Sequence, residues 1–225
     1  MSYSIQLATE ADLHEMTEVM VAALSDDSCW QGMKGSWTDK EEYEFTLETL
    51  RVSMNGSQAG AYKCWKVIDK NGKILAWAGL GYPSSLGEEQ KNWVITTTTY
   101  QIPPGRNQKI LEFFRNSILL LPMKHGYDNA KHFQYQRRGL GRLLTEKCNE
   151  VADASRAATY VRAQSKAAGL FIQMGYEVLE KIDFDLCDFG ANLKDGKTSV
   201  FVMKREPGAK EQQGRRFPDW IEDEV

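Results

Sequence analysis

Two glycines and three arginines stand at the head of one amphipathic helix, and that conjunction limits what the chain can be. The run is Gln136, Arg137, Arg138, Gly139, Leu140, Gly141 and Arg142, followed by Leu143, Leu144, Cys148, Val151 and Ala152 at helical spacing. Glycine lets a backbone turn tightly enough for several N–H groups to converge on one point. The helix start adds unpaired donors and a partial positive charge, so turn and helix together make an anion site. The arginines raise the local positive potential in a chain whose formal net charge is -3. A pyrophosphate suits such a place better than a carboxylate does. A turn that only caps its helix, with the arginines solvated, would have the same residues, so the run by itself leaves both readings open. It lacks the Gly-Lys-Ser/Thr of a Walker A loop and the third glycine of a dinucleotide fingerprint.

Strands and helices alternate around that helix. Residues 4–7 predict a short strand, and Thr9 with Glu10 and Asp12 signals a helix start. Over 13–24, Leu13, Met16, Val19, Met20, Ala23 and Leu24 recur at helical spacing. Residues 26–30 break that helix, 31–37 carry two glycines and predict a loop, and 39–54 predict a second helix using Tyr43, Phe45, Leu47, Leu50 and Val52. Residues 61–68 and 73–81 read as a hairpin around Asp69-Lys70-Asn71-Gly72. Residues 82–106 contain Pro103-Pro104-Gly105 and predict an irregular excursion, before a helix over 109–121. After the helix over 140–155 come a strand over 158–163, a helix over 166–174, and strands over 176–186 and 198–204. This order predicts an α/β domain over residues 1–205. Residues 206–225 are charged and poor in aliphatics, and predict a flexible tail.

Several classes are disfavoured. The acidic balance argues against nucleic acid as the partner, because phosphate binding needs a broad basic surface. No apolar stretch approaches the ~20 residues that span a bilayer, and the first residues lack a basic, then apolar, leader pattern. Cys29, Cys64, Cys148 and Cys187 lie far apart with no His at ligand spacing. They read as reduced thiols of a cytoplasmic protein with no metal site.

With Tyr135 before it, the run at 136–141 matches the pattern Q/R-x-x-G-x-G/A, and the sequence here resembles the GNAT superfamily of N-acetyltransferases. Glu150-Val151-Ala152-Asp153, the strand over 158–163, and Gly169-Leu170-Phe171-Ile172-Gln173-Met174-Gly175-Tyr176-Glu177 continue the likeness in the same order. Residues 5–13 are similar to the superfamily's opening strand and helix, so the resemblance covers roughly residues 3–204. It implies a GNAT-like mixed central sheet flanked by helices in a single domain. It also implies acetyl-CoA, or another acyl-CoA, as cofactor, with backbone amides of residues 137–142 on the pyrophosphate. Pantetheine would enter between two splayed central strands, one of them at 158–163. The acceptor expected is a small amine.

Two departures from the superfamily pattern matter. Where the resemblance expects an apolar strand before the turn, residues 128–134 read Asp-Asn-Ala-Lys-His-Phe-Gln, so 124–134 are expected to be loop-like or only briefly extended. Phe171 takes the position of the tyrosine that commonly protonates the departing thiolate, and phenylalanine has no proton to give. Tyr160 is the substitute candidate for that acid, while Asp27, its neighbour Asp26 and His132 are candidates for the general base. The plainer readings are a packed core ring for Phe171, helix-end carboxylates for Asp26 and Asp27, and a surface histidine for His132. Trp30 and Trp37 could line an acceptor pocket. The function expected is acyl transfer from acyl-CoA to an amine. The alternative is a GNAT-fold protein that has lost acetyl transfer and serves as a binding module, or runs a lyase or cyclase reaction in the same pocket.

Overall fold

The Asn-Gly turn at residues 69–72 closes a hairpin, and the first sheet is built on it. In the computed structural model, which describes residues 3–57, 62–81, 104–118, 124–125 and 140–210, Asp69 Oδ1 accepts from the backbone N–H groups of Asn71 and Lys73 at 2.8 and 2.9 Å. Gly72 supplies the positive φ of 84° that the turn requires. The turn joins β2 (Tyr62–Ile68) to β3 (Ile74–Gly81), and β1 (Ser4–Leu7) pairs antiparallel on the far side of β2. β3 is buried along most of its length because helices cover both faces. One face carries Trp65, Val67, Ala76, Ala78 and Leu80; Cys64, Ile74 and Trp77 belong to a second cluster.

That second cluster is closed by α1 (Leu13–Leu24) and α3 (Asp39–Ser57), through Leu13, Met16, Leu50 and Met54. Polar bonds set the placement of α1. Trp77 Nε1 donates to the Met16 carbonyl at 2.9 Å, and the Ile74 N–H donates to Glu15 Oε1 at 2.8 Å. The buried stripe of α3 differs from the expected one. Its members are Glu42, Thr46, Leu50 and Met54, four residues apart, whereas Val52 is exposed. Half of this stripe is polar, so apolar periodicity did not reveal it.

Residues 31–37, expected as loop, are partly helical. Asp27 caps α2 (Ser28–Lys34) by accepting from the Trp30 N–H at 2.8 Å, and Gly35, with φ 64°, ends it. The two glycines and short length hid a helix that its cap makes possible. A Cβ at Gly35 would clash with the Gly105 carbonyl oxygen, so the chain at 104–107 presses directly on this helix end.

The second sheet has the order β4-β6-β5, all antiparallel, with β4 (Thr159–Gln164), β5 (Glu177–Asp185) and β6 (Lys197–Arg205). α5 (Leu140–Ala154) and α6 (Ser165–Gln173) cover one face. Their residues Leu140, Leu144, Cys148, Ala168, Phe171 and Ile172 join Val161, Ala163, Phe201 and Met203 and the inner face of the first sheet in one core. On the opposite face, α4 (Gln108–Phe113) continues into a π-helical turn (Phe114–Ile118). Ile110 packs there with Cys29 and Leu186, and the Phe113 ring lies 5.0 Å from Phe184 and 4.6 Å from Phe189. Among the described residues no strand joins β3 to β4. Of the expected loop at 124–134, all but residues 124 and 125 lie outside the described residues.

The chain beyond β6 folds back. Arg205, 5% exposed, makes a bidentate pair with Asp153 at the end of α5, at 2.7 and 3.0 Å. Its Nε donates to the Met174 carbonyl at 3.2 Å and Nη2 to the Ala209 carbonyl at 2.7 Å, while the Gly208 N–H donates to Asp153. Replacing Arg205 by Ala strips three partners at once and should lower unfolding stability by about 3 kcal/mol in urea titration.

Asp12, ahead of α1, lies 2.6 Å from Lys66 on β2 and accepts from Thr9. Burial alone would raise its pKa; Lys66 and Thr9 outweigh that and hold the carboxyl below its ordinary value. A lowered folded-state pKa means stability present above about pH 4 and lost as pH falls through the lower value. Asp12→Asn should therefore cost about 1 kcal/mol at pH 7, with the gap to the native chain closing below about pH 3 in urea titrations across pH.

Candidate functional site

The described part of α5 opens at Leu140, inside the glycine-arginine run. Gln136, Arg137, Arg138 and Gly139 lie outside the described residues, as does His132. The three described members of the run have visible roles. Leu140 is 7% exposed and sits in the shared core. Gly141 is where α5 and α6 approach: a Cβ there would come within 3.3 Å of Leu170 Cδ2. This glycine serves helix packing, which the anion-site argument did not require of it. Arg142 Nε donates to Glu146 Oε1 at 3.0 Å along the helix, which offsets part of the positive charge expected there.

Asp27 and Tyr160 both relate to β4, but the fold does not bring them together. Asp27, 8% exposed, accepts from Gln164 Nε2 at 3.2 Å at the C-terminal end of the strand, besides capping α2. Tyr160 is four residues back on the same face, roughly 13 Å along an extended strand. Its hydroxyl donates to the His125 carbonyl at 3.2 Å, and the Lys204 ammonium lies 5.6 Å from its ring centroid. The His125 ring bonds Glu180 on β5 at 2.8 Å. Asp27 thus marks where the α1–α2 turn meets the strand end, and Tyr160 marks the other end.

Phe171 is a core residue. It is 2% exposed, and its ring meets Tyr176 edge-on with centroids 5.2 Å apart. The Tyr176 hydroxyl donates to Asn149 Oδ1 at 2.9 Å, and burial pushes its pKa well above the ordinary tyrosine value, so it is a poor proton donor. Cys29 is also out of play. Burial, helped by the Asp27 charge, raises its thiol to about 12, and Sγ points to the Thr198 hydroxyl at 3.8 Å.

Around Trp30, on the helix that Asp27 caps, stand residues that sequence reasoning passed over. Glu42 is 5% exposed, accepts from Trp30 Nε1 and pairs with Lys34 at 2.9 Å. Lys34 also reaches Asp39 at 2.5 Å. Arg106 donates from Nε to the Met33 carbonyl at 3.3 Å and lies against the Trp30, Trp37 and Phe45 rings. A signal for Glu42 existed: it stands four residues before Thr46 and eight before Leu50, in phase with the buried face. Gln164 and Arg106 had none, since each matters through a partner far away in the chain. Among the described residues, no three His, Cys, Asp or Glu side chains gather as a metal site would need. No helix of the described residues is long and apolar enough to cross a membrane.

No protein-family model matches the sequence. No curated protein matches it either. Solved structures do match the fold. A histone acetyltransferase HPA2 and related acetyltransferase from Corynebacterium glutamicum is 18% identical, with a TM-score of 0.56 over 97% of this chain and 99% of that one. YncA from Salmonella typhimurium, solved with its cofactor acetyl-CoA, is 14% identical with a TM-score of 0.54 over 97% and 99%. A GNAT superfamily phosphinothricin acetyltransferase from Sinorhizobium meliloti, in complex with acetyl-CoA, is 15% identical with a TM-score of 0.52 over 97% of each chain. At such identities the likeness is one of fold, and the chain has the α/β fold of the GNAT acetyltransferases.

Phe171→Tyr would place a hydroxyl in the shared core. It should lower stability by roughly 1–3 kcal/mol in urea titration and confer no gain in acyl transfer, because the new hydroxyl would face packed side chains.

Proposed function

We propose that the protein is an acyl-CoA-dependent N-acyltransferase that moves an acetyl group from acetyl-CoA to a small amine. The observation that carries this reading is the run Gln-Arg-Arg-Gly-Leu-Gly leading into α5, in a fold of this type. A helix entered through that run would turn backbone N–H groups and the positive end of its dipole toward a pyrophosphate. Residues 136–142 are the ones assigned to hold it. Acyl-CoA supplies the thioester; the acceptor nitrogen forms the new bond to carbon as the carbon–sulfur bond breaks and the thiol of CoA is released. The chain contributes proximity and backbone donors. Asp27, at the end of β4, is the described carboxylate proposed to receive the amine proton. Tyr160 can serve as the acid only if its hydroxyl leaves the His125 carbonyl. The domain is read as residues 1–205, with 206–225 as a tail whose start is pinned by Arg205 and Asp153. The free cysteines accord with a reducing compartment, and the cytoplasm is the location proposed.

A second reading has its own support. Phe171 is buried in the core and the Tyr160 hydroxyl is committed to a backbone carbonyl, so neither residue offers a ready proton. A GNAT-fold protein in that condition could bind acyl-CoA without transferring its acyl group, or run another reaction in the same pocket.

Calorimetry with acetyl-CoA separates these. The native chain should bind with a Kd within roughly 1 µM–1 mM, and Gly139→Pro should abolish binding. Absence of any binding by the native chain overturns the acyl-CoA reading altogether. Binding without thiol release across a broad amine panel favours the second reading. If transfer is seen, Asp27→Asn keeps the helix cap, since asparagine caps as well as aspartate, and should lower kcat by roughly 10²-fold or more if Asp27 is the base.

A further inference from the structure

Arg106 lies in a box of aromatic rings. Its guanidinium carbon is 4.9 Å from the ring centroid of Trp37, 4.8 Å from Phe45 and 5.9 Å from Trp30. Ring faces carry negative quadrupole density, and several rings around one point make a site selective for a cation of low hydration. Each ring is positioned by contacts of its own. Trp30 Nε1 donates to Glu42, Trp37 Nε1 donates to the Pro104 carbonyl at 2.7 Å, and Trp37 and Phe45 meet edge to face at 5.2 Å. The box is therefore organised by bonds that do not pass through the guanidinium. All three rings and Arg106 are half-buried, so solvent reaches the site. Trp30 belongs to the same helix that Asp27 caps, and Asp27 touches the end of β4.

We infer that Trp30, Trp37 and Phe45 form a binding site for an alkylammonium or alkylguanidinium group, which Arg106 fills from within the chain and an external cation enters by displacing it. An intramolecular occupant competes at a high effective concentration, so the native chain binds such a ligand more weakly than the emptied cage does. The inference rests on the cage alone. Combined with the acyltransferase reading, it gives the acceptor a second, charged end held by rings of which one, Trp30, stands on the helix that Asp27 caps.

The test is a binding experiment without any acyl donor, so its outcome is independent of whether transfer occurs. The full chain and Arg106→Ala are titrated with tetramethylammonium chloride, against sodium chloride at equal ionic strength, while the indole N–H resonances of Trp30 and Trp37 are followed by NMR. In Arg106→Ala both should shift saturably, with half-saturation about tenfold lower than in the native chain. Adding Phe45→Leu should erase that gain. A folded Arg106→Ala chain that responds no more than the native chain, or no more to tetramethylammonium than to sodium, overturns the inference and leaves the box as a clasp between residues 104–107 and α2. Arg106→Gln keeps the stem and a donor near the Met33 carbonyl and replaces Arg106→Ala if the latter fails to fold. In the native chain itself the Arg106 Nε–H resonance should move together with the Trp37 indole; movement of neither overturns the inference as well.

Discussion

One apolar interior is shared by two sheets, and most of the molecule follows from it. Trp65, Val67, Ala78 and Leu80 from the first sheet meet Val161, Ala163, Phe201 and Met203 from the second beneath α5 and α6. Among the described residues the sheets exchange no ladder bond across β3 and β4, and this shared interior joins them. Each large apolar side chain buried there contributes about 1.5–3 kcal/mol. The stripe Leu140, Leu144, Cys148 and Ala152, at four-residue spacing, locks the rotation of α5 on this interior. Gly141 locks its distance from α6. The direction of the α5 axis, and with it of the helix dipole, is thus a consequence of core packing.

The other face is organised differently. There, polar side chains join elements far apart in sequence: Asp27 to Gln164, Trp30 to Glu42, Asp12 to Lys66. Such bonds are directional, and leaving one partner unpaired inside the protein costs more than the bond returns. The third holds the start of α1 on β2, and the first two hold α2 and the start of α3 beside the end of β4. This is the region where a half-buried set of aromatic rings and charged groups is tied through Asp27 to the end of β4.

Much of the fold was legible because apolar spacing and turn chemistry agree locally. The helix over 13–24, the hairpin around Asn71-Gly72, α5 and the closing strands fall within a residue or two of expectation. α2 and the buried stripe of α3 were not legible, for one reason. Their burial depends on polar residues, Asp27 as a cap and Glu42 and Thr46 as interior members, and a pattern of apolar residues does not register these. The candidate site was legible only in part. Phe171 was correctly read as a packed ring, while the pairing of Asp27 with Gln164 spans 137 positions and leaves no local trace.

The sequence by itself determined the alternation of elements, the glycine-arginine composition of the run that leads into α5, and the lack of a proton at position 171. Those are local properties: spacing, backbone freedom and the chemistry of one side chain. Tertiary structure alone decided that Gly141 packs two helices together, that the Tyr160 hydroxyl is spent on the His125 carbonyl, and that Arg106 sits among three rings. Each of these depends on the distance between segments that only the folded core brings into contact.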